Sequence, residues 1–182
     1  MRYGYIGLGE LGSKLAASLL REGFSVTVHD LDRKLAEPLL AAGAKWAASP
    51  REVGQASDAV MTCLPSPKAS EAVLTGPNGL LAGLEKGGTW IENSTLGREE
   101  IVRLAALAAE KGIRTLESPV TGGVHLAAAG RITVLVGGDR GLFEAHKPAL
   151  EAIGGKLFHM GPLGSASVIK VITNMLAFIH LV

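Results

Sequence analysis

The chain has 182 residues, 18 Lys and Arg against 17 Asp and Glu, and a formal net charge of +1. This balance offers no basic stripe for nucleic acid, and the length suffices for one substantial hydrophobic core. A single cysteine excludes an intramolecular disulfide, and no Cys/His cluster has the spacing of a zinc site. The composition therefore predicts an intracellular, cytoplasmic protein with no nucleic-acid partner and no bound metal.

The most apolar run of the sequence is Val168 to Val182. It contains Lys170, Asn174 and His180, and it is shorter than the roughly 20 residues that a membrane span needs. We expect a buried helix here and no membrane partner. Met1 leads directly into the first strand, so no signal peptide is expected.

The first 30 residues predict a strand, a glycine turn, a helix and a second strand. Arg2 to Ile6 is the first strand candidate, leucines recur at helical spacing around and after Gly12, and Ser25 to His29 alternates as the second strand. The turn has the pattern Gly-x-Gly-x-x-Gly, and the second strand ends on Asp30. This combination is typical of a Rossmann unit that binds a dinucleotide.

Each glycine of the turn has a mechanical role in this interpretation. Gly7 makes the tight turn, Gly9 lets the backbone approach a pyrophosphate, and Gly12 lets the helix pack on the strand. Asp30 would accept hydrogen bonds from the adenosine ribose and repel a 2′-phosphate, which favours NAD over NADP. Glu10 fits poorly, because it places an anion at the turn that receives the pyrophosphate.

Strand and helix candidates alternate along the rest of the chain, with short connections. Further strands are predicted at Lys45-Trp46, Asp58 to Leu64, Thr89 to Asn93, Ile113 to Glu117, Arg131 to Gly137 and Lys156 to Met160. Helices are predicted at Arg33 to Ala42, Ser49 to Ala56, Lys68 to Leu74, Arg98 to Lys111, Val124 to Ala129, Leu142 to Ile153 and after Ser165. Pro38 predicts a kink or a late start in the first of these helices. The alternation predicts an α/β fold with a doubly wound, mostly parallel sheet of the Rossmann type.

Ligands of such sheets bind outside the carboxyl ends of the strands. This rule brings several segments to one edge: Gly7 to Gly12, Asp30, Leu64-Pro65, Ser94-Thr95 and Ser118 to Gly123. The amides of Gly122 and Gly123 could form an anion site sized for a carboxylate, to which Thr121 adds a hydroxyl donor. An ordinary Gly-Gly turn is the alternative. Cys63 joins this edge by position only and is interpreted as a buried strand cysteine.

Lys170 and Asn174 lie four residues apart on the last helix and share one of its faces. Apolar neighbours would desolvate Lys170 and lower its pKa toward the range that is useful for proton transfer. In the alternative, the lysine extends out to solvent while Asn174 bonds the backbone.

Three motifs, taken in order, resemble the β-hydroxyacid dehydrogenase family, which includes 3-hydroxyisobutyrate dehydrogenase: Gly7 to Gly12, Ser118 to Gly123, and Gly164 through Lys170 to Asn174. The resemblance covers the whole chain. It implies that Lys170 is the catalytic lysine, that Asn174 is its companion, and that the substrate is bound by Thr121, Gly122 and Gly123. Together with the glycine turn and Asp30, the resemblance gives a set of cofactor contacts: Gly7, Leu8, Gly9, Glu10, Leu11, Gly12, Asp30, Leu64, Pro65 and Thr95.

The resemblance also implies an activity, reversible hydride transfer between NAD and a small β-hydroxy acid or semialdehyde that carries a carboxylate. NADP is the alternative cofactor. The implied domains are a Rossmann domain at residues 1–163 and the start of an interdomain helix at residues 164–182. Family members continue into an all-α domain that this sequence lacks, and with that domain a homo-oligomer is expected.

Some residues depart from the family's pattern: Thr121 for Ser, Glu117-Ser118 for Asp-Ala, Ala166 for Gly, and Thr173 for the first Asn of a pair. Two alternative functions therefore stay open. One is an imine reductase of the same lineage, which Lys170 argues against. The other is a non-catalytic domain that binds a nucleotide or a partner, which Glu10 and the missing second domain favour.

Overall fold

The computed structural model describes residues 1–180, which form a nine-stranded sheet with helices packed against it. The strands are β1 (Arg2–Ile6), β2 (Ser25–His29), β3 (Lys45–Trp46), β4 (Ala59–Thr62), β5 (Thr89–Glu92), β6 (Arg114–Glu117), β7 (Val120–Thr121), β8 (Ile132–Gly137) and β9 (Gly154–Gly161). The helices are α1 (Gly12–Arg21), α2 (Glu37–Ala41), α3 (Pro50–Gln55), α4 (Pro67–Thr75), α5 (Arg98–Glu110), α6 (Val124–Ala128), α7 (Arg140–Ile153) and α8 (Ser165–His180). Short 3₁₀ helices occupy Arg33–Ala36 and Leu80–Ala82.

The strand order is β3-β2-β1-β4-β5-β6-β8-β7, and β9 pairs with β8. The first six strands in this order, β3, β2, β1, β4, β5 and β6, are parallel to one another. Their order, 3-2-1-4-5-6, is that of a Rossmann sheet. β8 runs antiparallel to β6 and β7 and parallel to β9. The predicted doubly wound, mostly parallel sheet is confirmed.

The sheet is buried on both faces, and each face has its own hydrophobic cluster. Tyr5 of β1 packs with Leu15 of α1 in one cluster, whereas the next residue, Ile6, packs with the other. Trp90 of β5 and Leu104 of α5 belong to this second cluster. Burial of both faces explains why the central strands are apolar at successive positions.

The helix predicted from Arg33 to Ala42 begins as the 3₁₀ turn Arg33–Ala36 and becomes α-helical only at Glu37. Pro38 lies in the first turn of α2, where its missing amide hydrogen costs no helical hydrogen bond. The predicted late start is confirmed.

The prediction of a buried helix at the end of the sequence is wrong. Only the first turns of α8 are covered, and its segment from Met175 to His180 is exposed. An apolar composition indicates that a helix needs a partner surface, and in the described chain no element covers the apolar side of this segment. The last two residues of the predicted run, 181 and 182, lie outside the described residues. Within residues 1–180, no helix is long and apolar enough to cross a membrane.

Candidate dinucleotide-binding and catalytic cleft

A cleft of about 1010 Å³ lies at the carboxyl ends of the parallel strands. It brings together many of the residues predicted to bind a cofactor, and the predicted catalytic lysine: Gly7, Gly9, Glu10, Leu11, Gly12, Asp30, Leu64, Pro65, Thr95 and Lys170. The sheet places them side by side because parallel strands that lie next to each other end at the same edge.

The three glycines of the turn have different surroundings. Gly7 has φ +93°, and a Cβ there would collide with the Cys63 carbonyl oxygen. A Cβ on Gly12 would collide with the carbonyl oxygen of Gly7, so the start of α1 packs directly on the turn. A Cβ on Gly9 would meet no heavy atom within 4 Å among the described residues. Gly7 and Gly12 therefore serve the fold, whereas Gly9 leaves space open in the cleft for a ligand.

Asp30 fixes the turn to the end of β2. Its Oδ2 accepts a hydrogen bond from the Leu8 amide at 2.6 Å, and its Oδ1 accepts one from the Asp32 amide at 3.0 Å. A carboxylate has about four lone-pair positions, so Asp30 retains acceptor capacity for the hydroxyls of a ribose. Arg33 lies over the ring of Trp46, with its guanidinium carbon 5.6 Å from the ring centroid. This cation–π contact orients Arg33 toward the tryptophan.

A buried carboxyl, Glu92, supports the cofactor side of the cleft. Glu92 Oε1 accepts hydrogen bonds from the Ser94 amide at 2.8 Å and from the Ser94 hydroxyl at 2.5 Å. The same hydroxyl accepts one from the Leu64 amide at 2.7 Å, which joins the ends of β4 and β5. Burial raises the pKa of Glu92. The sequence interpretation missed this residue, although an acidic residue directly after the apolar pair Trp90-Ile91 of a predicted strand was a visible signal.

Asn93 joins the cleft to the segment that follows β6. Tyr5 donates from its hydroxyl to Asn93 Oδ1 at 3.2 Å, and Asn93 Nδ2 donates to Ser118 Oγ at 2.5 Å. Burial raises the pKa of Tyr5, so its hydroxyl stays protonated and remains a donor. The start of the predicted substrate segment is therefore fixed to β1 and β5 by buried hydrogen bonds.

The predicted substrate residues lie beside the cleft rather than in its lining. Val120 lines the cleft, whereas Thr121, Gly122 and Gly123 are not among the described residues that do so. The two glycines have φ of +127° and +87°, which explains why glycine occupies both positions. Val120–Thr121 forms β7, a strand that the sequence did not predict, and α6 has five residues, too few for a strong helix dipole.

Lys170 is buried on the inner face of α8, with 9% of its surface exposed, and it lines the cleft. Burial lowers the pKa of Lys170. The alternative of a lysine that extends to solvent is therefore wrong. Asn174 lies one turn further along α8 and is half-buried, outside the described lining of the cleft.

Glu117, which the sequence interpretation noted only as a departure from a family pattern, holds the beginning of α8. Its Oε1 accepts hydrogen bonds from the amides of Gly164 at 2.6 Å and Ala166 at 2.9 Å. Its Oε2 accepts hydrogen bonds from the Ser167 amide at 3.0 Å and from the Ser167 hydroxyl. An acidic residue at the end of a buried strand was the available signal, but its partners lie 47 to 50 residues away.

The cleft contains one cysteine, Cys63. Burial raises the pKa of Cys63 to about 12, so its thiol is protonated and unreactive near neutral pH. Its interpretation as a buried strand cysteine is wrong, because Cys63 directly follows the last residue of β4, is only partly buried and lines the cleft. No group of three His, Cys, Asp or Glu side chains in the described part of the chain could hold a metal ion.

The sheet order, the glycine turn and the cleft define a dinucleotide-binding domain of the Rossmann class. Residues 2–161 match the family model of the NAD-binding domain of 6-phosphogluconate dehydrogenase. The chain belongs to this family, and NAD, which was predicted from the glycine turn and Asp30, is the cofactor that the family binds.

Similar proteins include several named dehydrogenases. The chain is 39% identical over 172 residues to an NAD-dependent L-serine dehydrogenase of Pseudomonas aeruginosa, covering 94% of the chain and 58% of that relative. It is 35% identical over 176 residues to the 2-(hydroxymethyl)glutarate dehydrogenase of Eubacterium barkeri, covering 97% of the chain and 58% of that relative. The chain thus spans somewhat more than half the length of these relatives.

Solved structures show the same lineage. A 3-hydroxyisobutyrate dehydrogenase of Mycobacterium tuberculosis, solved with L-serine, superposes with a TM-score of 0.92 at 31% identity, over 97% of this chain and 60% of that one. An imine reductase of Streptomyces aurantiacus superposes with a TM-score of 0.87 at 28% identity, over 98% of this chain and 62% of that one. The resemblance to β-hydroxyacid dehydrogenases is confirmed.

Proposed function

We propose that this chain is the cofactor domain of an NAD-dependent dehydrogenase that acts on a small β-hydroxy acid or the corresponding semialdehyde. The observation that carries the proposal is Lys170, a buried amine that lines the same cleft as the glycine turn and Asp30. Burial lowers the pKa of this lysine, which brings its proton transfer closer to neutral pH. The named dehydrogenases among its relatives support the same reaction class.

The residues of the cleft fit a dinucleotide, because the turn leaves space at Gly9 and Asp30 has acceptors for a ribose. When bound, the nicotinamide ring supplies the hydride chemistry. In the oxidation direction, Lys170 Nζ takes the proton of the substrate hydroxyl, and in reduction it returns that proton to the carbonyl oxygen.

The substrate carboxylate is assigned to the segment after β6. Two amides, of Gly122 and Gly123, and the Thr121 hydroxyl hold it. Asn174, one turn beyond Lys170, orients the lysine or the substrate. The buried hydrogen bonds of Ser118 support this assignment, because they fix the segment beside the cleft.

The decisive experiment replaces Lys170 by Ala in the natural-length protein. We expect kcat/KM to fall about 10²- to 10⁴-fold, the usual contribution of a general acid–base group. NADH affinity, measured by calorimetric titration, should stay within about twofold, because the glycine turn and Asp30 are untouched. Lys156→Ala, at an exposed position of β9, is the matched control.

A substrate panel separates the alternatives: L-serine, 3-hydroxyisobutyrate, 2-(hydroxymethyl)glutarate and a cyclic imine. Near-normal turnover in Lys170→Ala would contradict the role of the lysine. Preferred reduction of the imine would favour the imine reductase alternative. Intact NADH binding without turnover of any compound would favour a non-catalytic nucleotide-binding domain.

The proposal includes a homo-oligomer located in the cytoplasm, with residues 1–163 as the cofactor domain and residues 164–182 as the start of an interdomain helix. Met175, Phe178 and Ile179 of α8 are each more than half exposed, and a contiguous apolar surface of this kind is typical of an interface. Sedimentation analysis of the natural-length protein tests the assembly, and cell fractionation tests the location. A monomer under all conditions would contradict the proposed homo-oligomer.

A further inference from the structure

The carboxylate of Glu117 replaces the local capping residue that most helices use. The first amides of a helix have no partners within the helix, and a Ser, Thr, Asp or Asn just before it usually accepts from one of them. At α8, the carboxylate of a distant strand accepts from three amides and one hydroxyl, with 1% of Glu117 exposed. Such charge-assisted hydrogen bonds are stronger than neutral ones, and they point along the favourable direction of the helix dipole.

A remote cap of this kind determines where a helix lies as well as where it begins. A local cap moves with its own helix, whereas Glu117 belongs to β6, whose backbone is fixed by pairing with β5. The first turn of α8 is therefore bonded to the central sheet, at the edge where the cleft opens.

The capped turn and the lysine share one side of α8. Ser167 precedes Lys170 by three residues, about one helical turn, and Ala166 precedes it by four. These three are the buried residues of the helix. A displacement of the first turn would therefore displace the lysine from the cleft.

Glu117 also connects the two sides of the proposed active site. The next residue, Ser118, begins the segment proposed to hold the substrate, and it is held by Asn93. Two adjacent residues thus hold the two sides: Ser118 fixes the substrate segment, and Glu117 fixes the lysine helix.

We propose that Glu117 is a positioning residue, whose carboxylate holds the first turn of α8 on the end of β6 and thereby keeps Lys170 in the cleft beside residues 118–123. Where it concerns turnover, this inference rests on the proposed function. The placement of Lys170 is independent of it and is measured separately below.

Gly137 supplies a second way to disturb the same contact. Gly137 of β8 lies opposite Glu117 in the sheet, and a Cβ there would collide with the Glu117 carboxylate. Gly137→Ala therefore displaces the carboxylate without removing it. Ser167→Ala removes only one of the four donors.

The first test uses Glu117→Gln and two readouts that need no activity. In the variant, hydrogen exchange at the amides of Gly164, Ala166 and Ser167 should become at least about tenfold faster, because one amide oxygen cannot accept from all four donors. The pKa of Lys170, followed by NMR of labelled lysine, should rise toward its ordinary value as the side chain gains water. NADH affinity should stay within about twofold, and Glu99→Gln, an exposed glutamate of α5, is the matched control.

The second test measures turnover in the natural-length protein. Glu117→Gln and Gly137→Ala should each lower kcat about tenfold or more, while the KM for NADH changes little. The pH profile of kcat should also shift. Its apparent pKa assigned to Lys170 should change in the same direction as the pKa of Lys170 measured by NMR. Glu117→Asp, which keeps the charge, should recover part of the loss.

The outcomes separate the two hypotheses. Unchanged amide exchange and an unchanged Lys170 pKa in a folded Glu117→Gln protein would overturn the positioning role. If Glu117→Gln does not fold, amide exchange and the Lys170 pKa are measured in Gly137→Ala and Ser167→Ala instead. Unchanged exchange and an unchanged Lys170 pKa in Gly137→Ala would overturn the positioning role. If the unmodified protein turns over no substrate, the proposed function fails, while amide exchange and the lysine pKa still decide the role of Glu117.

Discussion

Asp30 combines a structural and a recognition role in one carboxylate. Its hydrogen bonds to the amides of Leu8 and Asp32 hold the glycine turn to the end of β2. A negative charge at this position repels a 2′-phosphate, whereas ribose hydroxyls can bond to it. The contact of Arg33 with Trp46 keeps the nearest arginine in the sequence engaged elsewhere. At the scale of single residues, this arrangement supports NAD over NADP.

The first prediction tests this preference with the double substitution Asp30→Asn and Leu31→Arg. The asparagine retains an oxygen for the Leu8 amide but removes the charge, and Leu31 is fully exposed, so an arginine fits there. We expect the ratio of NADH to NADPH affinity to fall at least about tenfold, because an arginine can pair with the 2′-phosphate. Calorimetric titration with each cofactor measures it. Asp32→Asn is the charge-matched control, and an unchanged ratio in the double variant would contradict the assignment.

At the scale of elements, the turn between β1 and α1 separates fold from function within one motif. Gly7 and Gly12 are required because backbone atoms lie where their side chains would be. A Cβ on Gly9 would meet no heavy atom within 4 Å among the described residues, so packing within them does not require glycine at this position. The pattern Gly-x-Gly-x-x-Gly predicted three roles for three glycines. Close packing accounts for glycine at positions 7 and 12, whereas the approach of Gly9 to a pyrophosphate stays a prediction.

The matched variants Gly12→Ala and Gly9→Ala follow from this difference. Gly12→Ala should lower the free energy of unfolding by about 1–3 kcal/mol, because its methyl collides with a backbone carbonyl. Gly9→Ala should keep wild-type stability but bind NADH at least about tenfold more weakly, because its methyl enters the space of the pyrophosphate.

Urea denaturation and calorimetric titration measure the two effects. Gly97→Ala is the control, since a Cβ there also meets no heavy atom within 4 Å among the described residues and Gly97 lies outside the described cleft lining. Normal NADH binding by Gly9→Ala would show that the turn does not receive the pyrophosphate.

At the scale of the whole molecule, His146 connects elements that are far apart in the sequence. Its Nδ1 lies 3.0 Å from the Tyr3 hydroxyl of β1, and its Nε2 lies 3.0 Å from the Thr89 hydroxyl of β5. Burial lowers the pKa of His146 from 6.5 to about 4. The folded protein therefore keeps this imidazole neutral where the unfolded chain would protonate it.

A loss of stability in weak acid follows. Between pH 6.5 and 4 the unfolded chain binds a proton at His146 that the folded chain does not, so stability falls as the pH falls through this range and is fully present above it. The shift corresponds to at most about 3 kcal/mol. His146→Gln, which cannot be protonated, should flatten this part of the profile.

Urea denaturation at several pH values between 4 and 7 measures the profile. His125→Gln, at an exposed position, is the control. Carboxylates contribute equally to both proteins, so the difference between the curves isolates His146. Parallel curves for His146→Gln and the unmodified protein would contradict the assignment.

Local patterns in the sequence predicted the Rossmann sheet, the glycine turn and Asp30 at the end of the second strand, because periodicity and glycine spacing record which face of an element is buried and where the chain turns. For Lys170 the local pattern left a buried and a solvent-exposed side chain both open, and the resemblance to β-hydroxyacid dehydrogenases favoured the catalytic role. Local patterns did not predict β7, whose two residues are too few for a period, or the exposure of α8, because an apolar helix does not specify its partner. Only the tertiary structure identified Glu92 and Glu117, since their hydrogen-bond partners depend on which strand and helix ends meet. The sequence alone therefore determined the class of protein and its cofactor motif, whereas the packing of the sheet against α8 decided how the lysine is held.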